Sequence, residues 1–327
     1  MIDRRLTFIV ITTLIILATA FTADAQQPKK APTIGILTFT SGDLMAGVVR
    51  QGLRELGYVE GHNIVIEHRF AEGKADRLPD LAAELVRLKV DVIVARSSPV
   101  VQAAKNATST IPIVMGSADP VGSGFVASLA RPGGNITGTS SIMPELAGKR
   151  LELLREILPK LSRVAFLAHG GDPAHRLFLK EADEAAKGFR IQFQPLVLSG
   201  PEEFEGAFSA MAKERAGALI VQPLFSINLG QGQRIADLAT KSRLPTISDP
   251  REFAEAGGLM SYGPDTLALW RCALPVYVDK ILKGAKPADL PVQQPTKFEF
   301  VINLKTAKQI GLTIPQSVLY RADKAIK

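Results

Sequence analysis

One cysteine, Cys272, among 327 residues excludes an intramolecular disulfide, and its distance from the N-terminus excludes a lipid-bearing cysteine at a leader's cleavage point. It sits beside Trp270 in an apolar helical pattern and is expected to be a small buried side chain. Aromatic residues are only 6% of the chain and no basic cluster is interleaved with them, so the net charge of +7 reads as a solvated surface and nucleic acid is not an expected partner. The four histidines, His62, His68, His169 and His175, include no pair at the H-x-x-x-H spacing, so no metal site is expected. There is no Gly-x-Ser-x-Gly elbow and no GK[ST] phosphate loop, and neither RPGGN nor HGGD has dinucleotide-binding spacing. No cofactor is expected, and an enzymatic reading has only the fold class beneath it.

Long apolar runs are missing except at the start. Arg4 and Arg5 precede sixteen uncharged, mostly apolar residues at 6–21, followed by Ala23-Asp24-Ala25 and a polar segment. That is the pattern of a signal peptide cleaved after Ala25, and the run is short against the roughly 20 residues a spanning helix needs. The mature protein is expected outside the cytoplasm, relying on its core rather than on disulfides.

What is present is an alternation of short Val/Ile-rich runs with helical stripes. Runs at 33–38, 63–69, 91–95, 111–115 and 135–138 read as one parallel sheet of about five strands. Between them lie a stripe of Leu44, Val48, Leu53 and Leu56, another of Leu78, Leu81, Leu85 and Leu88, and a short helix expected at 125–130. The alternation restarts with strands at 164–168, 191–196, 218–222 and 246–248, then 259–262 and 298–302. Helix–strand alternation at this spacing implies right-handed crossovers and a parallel sheet, so the chain reads as an α/β protein of two Rossmann-like lobes. Residues 31–139 with 263–285 form the first lobe and 140–262 with 296–327 the second, with hinges expected at 138–141 and 258–263. Pro275 should kink the long helix expected at 265–283.

In an open α/β sheet, ligands bind beyond the carboxyl ends of the strands, where helix-start amides are unpaired. By that rule the candidate binding residues are Thr38, Thr40 and Ser41 after the first strand, Ser97 and Ser98 after the run at 91–95, and Ser117 and Asp119 after the run at 111–115. The second lobe offers Phe225, Asp249 and a possible His169, and Tyr262 lies by a hinge. An amino-acid ligand would set its carboxylate on helix-start amides and hydroxyls while Asp119 or Asp249 met its ammonium. Two readings remain open on these residues: a solute receptor, for transport or for a sensor kinase, or an exported hydrolase or isomerase using Asp119, Asp249 or His169 as acid and base.

Several stretches together carry a resemblance: GLRELGYVEGHNI (52–64), AEGKADRLPDLAAELV (71–86), DPVGSGFVASLARPGGNITGTS (119–140), GKRLELLREILPKLSRVA (148–165) and KGAKPADLPVQQPTKFEFVINLKTAKQIGL (283–312). They resemble the bacterial solute-binding proteins of ATP-binding-cassette transporters that include the tryptophan- and tyrosine-binding lipoproteins. The resemblance implies a periplasmic-binding fold of the first type, a monomer in the periplasm that traps a small ligand by hinge closure and delivers it to an inner-membrane permease. Two departures stand out. His169-Gly170-Gly171-Asp172 replaces the Asn-Pro that relatives often carry, and the segment 272–275 interrupts a helix that is usually regular.

Overall fold

The computed structural model describes residues 30–39, 42, 44–228 and 230–327; the leader at 1–25, Thr40 and Ser41 lie outside the described residues. The first half builds β1 (Thr33–Thr38), α1 (Leu44–Glu55), β2 (Val65–Phe70), α2 (Leu78–Arg87), β3 (Val92–Arg96), α3 (Ser98–Ala107), β4 (Ile113–Ser117) and β5 (Ile136–Ser140). Its five strands lie in the order β2-β1-β3-β4-β5, all parallel. β3 and β4 are buried at every position, which is why their sequences show no polar alternation.

The second half builds α4 (Ala147–Ile157), β6 (Arg163–His169), α5 (His175–Gly188), β7 (Gln192–Leu198), α6 (Phe204–Lys213), β8 (Ala218–Val221), α7 (Gly232–Lys241), β9 (Thr246–Ser248), α8 (Arg251–Glu255) and β10 (Met260–Pro264). After α9 (Thr266–Leu282) come β11 (Phe298–Asn303) and β12 (Lys324–Ile326), completing a sheet ordered β12-β11-β10-β9-β8-β6-β7. This sheet is mixed, not all parallel: β11 runs antiparallel to β10, with Tyr262 opposite Phe300. β11 is reached by a connector coming from the first sheet rather than by a helical crossover over its own, so the alternation that implies parallel neighbours does not extend to it.

Other expectations are corrected in detail. Residues 125–130 are bends and irregular chain instead of a helix, with the Phe125 amide on the Pro120 carbonyl at 2.8 Å and the Ala127 amide on that of Pro132 at 3.0 Å. Leu44, Leu56 and Leu88 point outward, and the buried stripe of α1 is Met45, Val48, Val49 and Leu53. The expected hinges 138–141 and 258–263 are mostly strand; the chain passes between sheets just after β5, at Asp265, and along 283–297. These passages are tied together, the Ser140 amide to the Gln293 carbonyl at 2.8 Å and the Asp265 amide to that of Lys297 at 3.0 Å.

Helix α9 packs on the first sheet beside α1, where Trp270, Leu274 and Val278 join Ile34, Ile36 and Val94 in one buried cluster. Pro275 lies inside this helix without ending it. Cys272 is exposed, correcting its expected burial: the helix is apolar on most of its surface, so periodicity did not reveal that 272 and 276 face outward. Gly52 of α1 makes room for the proline ring, since a Cβ there would stand 2.3 Å from Pro275 Cγ. Gly52→Ala should therefore cost about 1–3 kcal/mol by overpacking, read as a lower urea midpoint with unchanged slope. An unchanged midpoint would mean that α1 and α9 slide apart freely. Among the described residues, no helix is long and apolar enough to cross a membrane.

Candidate ligand-binding cleft

The carboxyl ends of β3 and β4 lie side by side and open on a cavity of about 550 Å3 of space not filled by protein atoms, counted together with the solvent at its mouth. Arg96, Ser97 and Ser98 form one rim, and Gly116, Ser117 and Ala118 the next. Ser97 holds an uncommon backbone conformation (φ 75°), bridged by its amide to the Gly116 carbonyl at 2.8 Å, while its own carbonyl accepts the Val101 amide at 3.0 Å and so begins α3. Strain of this kind persists where the surroundings enforce it and clusters at functional sites. The Ser97 hydroxyl oxygen is buried and has no hydrogen-bond partner among the described residues. The Ser98 and Ser117 hydroxyls are 3.3 Å apart. Thr266 and Trp270, at the start of α9, close this side, and the Arg96 guanidinium lies 4.9 Å from the Trp270 ring centre.

The opposite wall belongs to the second half: Ser141, Met143, Asp172, Phe178, Pro223 and Leu224. Asp172 ends the H-G-G-D turn that follows β6. The Asp172 amide bonds the His169 carbonyl at 3.1 Å, which folds the carboxylate back into the cleft. Its Oδ1 accepts the Ala174 amide at 2.9 Å and its Oδ2 the Gln222 side-chain amide at 2.7 Å. Only 5% of Asp172 is exposed, and burial pushes its pKa up to about 6, against a smaller pull downward from the Ala174 amide, His175 and the Ser98 hydroxyl facing it across the cleft. Gln222 fixes the turn at both ends, since its side-chain carbonyl accepts the His169 amide at 2.7 Å.

Of the residues expected from sequence, Ser97, Ser98 and Ser117 line the cavity, Thr38, Asp119, Phe225, Asp249 and Tyr262 do not, and Thr40 and Ser41 lie outside the described residues. Thr38 is buried against His68 Nε2 at 2.9 Å. Asp119 turns aside, its Oδ1 accepting the Gly122 amide at 2.8 Å. Phe225 is core, 5.2 Å from the Phe204 ring and 5.0 Å from His169. Asp249 is buried against the Arg150 guanidinium. Tyr262 stacks on Phe298 at 6.5 Å, and its carbonyl accepts the Arg150 Nε proton at 3.0 Å. His169 faces a different hollow, beside Glu72 and Ser199, and burial lowers its pKa. Sequence reasoning missed Arg96, Met143, Asp172, Phe178, Leu224 and Trp270. The rule that found Ser97 also pointed to the end of β6, but to His169 rather than to the residue three places later.

Asp119 thus acts as a turn-maker. Asp119→Ala should cost about 1 kcal/mol of stability while ligand affinity stays within twofold of wild type. Calorimetry showing a tenfold loss of affinity would return Asp119 to the site.

The comparisons with known proteins agree with this architecture. A family model described as ABC transporter substrate binding protein matches residues 33–326. A tyrosine-binding protein of Clostridioides difficile is 28% identical over 290 residues, which is 88% of this chain and 83% of that protein. Among solved structures, an ABC domain from Streptococcus pneumoniae in complex with L-Trp superposes with a TM-score of 0.83 at 28% identity, covering 90% of this chain and 99% of that one. The ligand-free, open structure of a substrate-binding protein with adhesive properties from Clostridium difficile gives 0.65 at 25% identity, covering 90% and 99%. The exported-enzyme reading falls, because this is a family of binding proteins and because Asp249 is held by Arg150 and Asp119 by a turn. With its type-1 periplasmic-binding architecture and a cavity between two sheets, the chain belongs to the ABC transporter substrate-binding protein family.

Proposed function

We propose that the chain captures a free aromatic L-α-amino acid in this cleft and delivers it to a membrane permease. The observation that carries the reading is Asp172, a carboxylate buried in a cavity whose opposite rim is the N-terminus of α3. Taking a charge out of water is costly unless a counter-charge arrives, and a ligand ammonium supplies one. The ligand carboxylate would then lie at the first-turn amides of α3, with the Ser97, Ser98 and Ser117 hydroxyls as donors. Met143, Phe178, Leu224 and Trp270 offer an apolar surround for a flat side chain. The names of similar proteins, a tyrosine-binding protein and a domain holding L-Trp, point to the same class.

The lobes are the first sheet with α9, and the second sheet, hinged at the three passages between them. The closer superposition on the L-Trp complex than on the open, ligand-free relative supports a closed arrangement here. Export through the leader at 1–25, removed after Ala25, would place the mature chain in the periplasm, where it meets both solute and permease.

Titration calorimetry with L-tryptophan and L-tyrosine tests this, with tryptamine, which lacks the carboxylate, and indole-3-propionate, which lacks the ammonium. Both amino acids, or one of them, should bind, and each analogue should bind at least about 30-fold more weakly, as loss of a buried charge partner requires. Equal binding of indole-3-propionate would remove Asp172 as the ammonium site.

A further inference from the structure

Leu224 is only 3% exposed, yet it is not buried in the lobe that carries it. Among the described residues, it is the only one from the second sheet's helices and loops in the apolar cluster that covers one face of the first sheet, with Phe39, Leu78, Val100, Val101 and Met115. The next residue, Phe225, is wholly buried in the second lobe's own cluster with Leu167, Phe204 and Phe253. Both lie on a π-helical turn, Leu224–Asn228, a rare geometry that recurs at functional sites. Ser226 pins that turn, its hydroxyl 3.1 Å from the Ser248 hydroxyl and 3.3 Å from the Pro223 carbonyl. One side chain therefore anchors the turn in its own lobe while its neighbour projects into the other.

We propose that Leu224 is a latch that holds the lobes together before any ligand is present, and so sets affinity through the population of the closed form. Opening the cleft would pull a nearly fully buried leucine back into water, and Phe225 keeps the turn from following. Burial of one leucine side chain shifts a two-state equilibrium by roughly 10- to 100-fold, and the apparent affinity of a ligand that needs the closed form scales with that form's population. The latch acts on every ligand that needs the closed form, in addition to any contact Leu224 makes with that ligand as part of the cavity wall.

Small-angle scattering of the ligand-free protein tests this without any ligand, so its outcome is separate from that of the amino-acid reading, on which only the affinity measurement rests. Wild type and Leu224→Met should give the same small radius of gyration, and Leu224→Ala a larger one. Leu224 lies outside the second lobe's core clusters, so the alanine variant should keep its circular dichroism spectrum and melt cooperatively. Its dissociation constants for L-tryptophan and L-tyrosine should both rise, roughly tenfold or more. Equal radii for wild type and Leu224→Ala, whether both compact or both extended, would overturn the latch, as would a loss of affinity confined to one of the two amino acids.

Discussion

Asp172→Asn is expected to weaken L-tryptophan or L-tyrosine binding by about 30- to 5,000-fold, the equivalent of the 2–5 kcal/mol lost when one partner of a buried charge pair is removed. Stability of the empty protein should change much less, because two effects oppose. The folded protein holds the Asp172 pKa at about 6, above its ordinary 3.8. Below pH 4 both the folded and the unfolded chain carry the proton and no penalty arises. Between pH 4 and 6 the unfolded chain releases it first, so stability falls as pH rises, by about 3 kcal/mol in all. Asparagine avoids that penalty but has one acceptor oxygen for two donors, the Ala174 and Gln222 amides, leaving one buried donor unmatched at a cost of about 1–3 kcal/mol. Binding has the opposite pH dependence. An ammonium ligand requires the ionised carboxylate, so wild-type affinity should fall by up to about tenfold per pH unit below 6, while the asparagine variant stays flat. Calorimetric titrations from pH 5 to 8 separate the two, and a wild-type affinity constant across that range would move the ammonium elsewhere.

The part of the site legible in sequence was the part built by local rules. β3 and β4 announced themselves as Val/Ile runs, and Ser97, Ser98 and Ser117 follow from where such strands end. The same rule stopped at His169 because two glycines let the chain fold back. The His169 ring turns toward Phe225 and the Gly171 amide, and Asp172 returns to the cleft. A Cβ on Gly171 would stand 2.9 Å from the His169 ring, so the turn depends on glycine there. Met143, Phe178, Leu224 and Trp270 come from four separate segments, and only the packing of two sheets brings them to one cavity. The antiparallel β11 was hidden for the same reason, since its direction is set by a passage from the other lobe. Family resemblance, which sums weak signals over the whole chain, reached further than any single motif and agrees with the match over residues 33–326.

Asp249 shows the converse, a residue that local rules nominate and a distant partner claims. Its carboxylate meets Arg150, 99 positions away in sequence, and both side chains are 1% exposed. Arg150 also donates to the Met143 carbonyl at 2.9 Å and the Tyr262 carbonyl at 3.0 Å, so one guanidinium joins α4, the end of β9, β10 and the passage that carries Met143 into the cleft. Burial pulls the Arg150 pKa down to about 9, which still leaves it charged at neutral pH. Asp249→Ala should therefore strand a buried cation and cost about 3–5 kcal/mol, among the largest single-residue losses expected in this protein. Arg150→Met should cost a similar amount by stranding the carboxylate. The double variant should be less destabilised than the sum of the two, because the charges vanish together, though the Met143 and Tyr262 carbonyls still lose their donor. Urea unfolding of the four proteins gives the coupling. If Asp249→Ala unfolds within 1 kcal/mol of wild type and instead loses amino-acid binding, the carboxylate serves the ligand and not the frame.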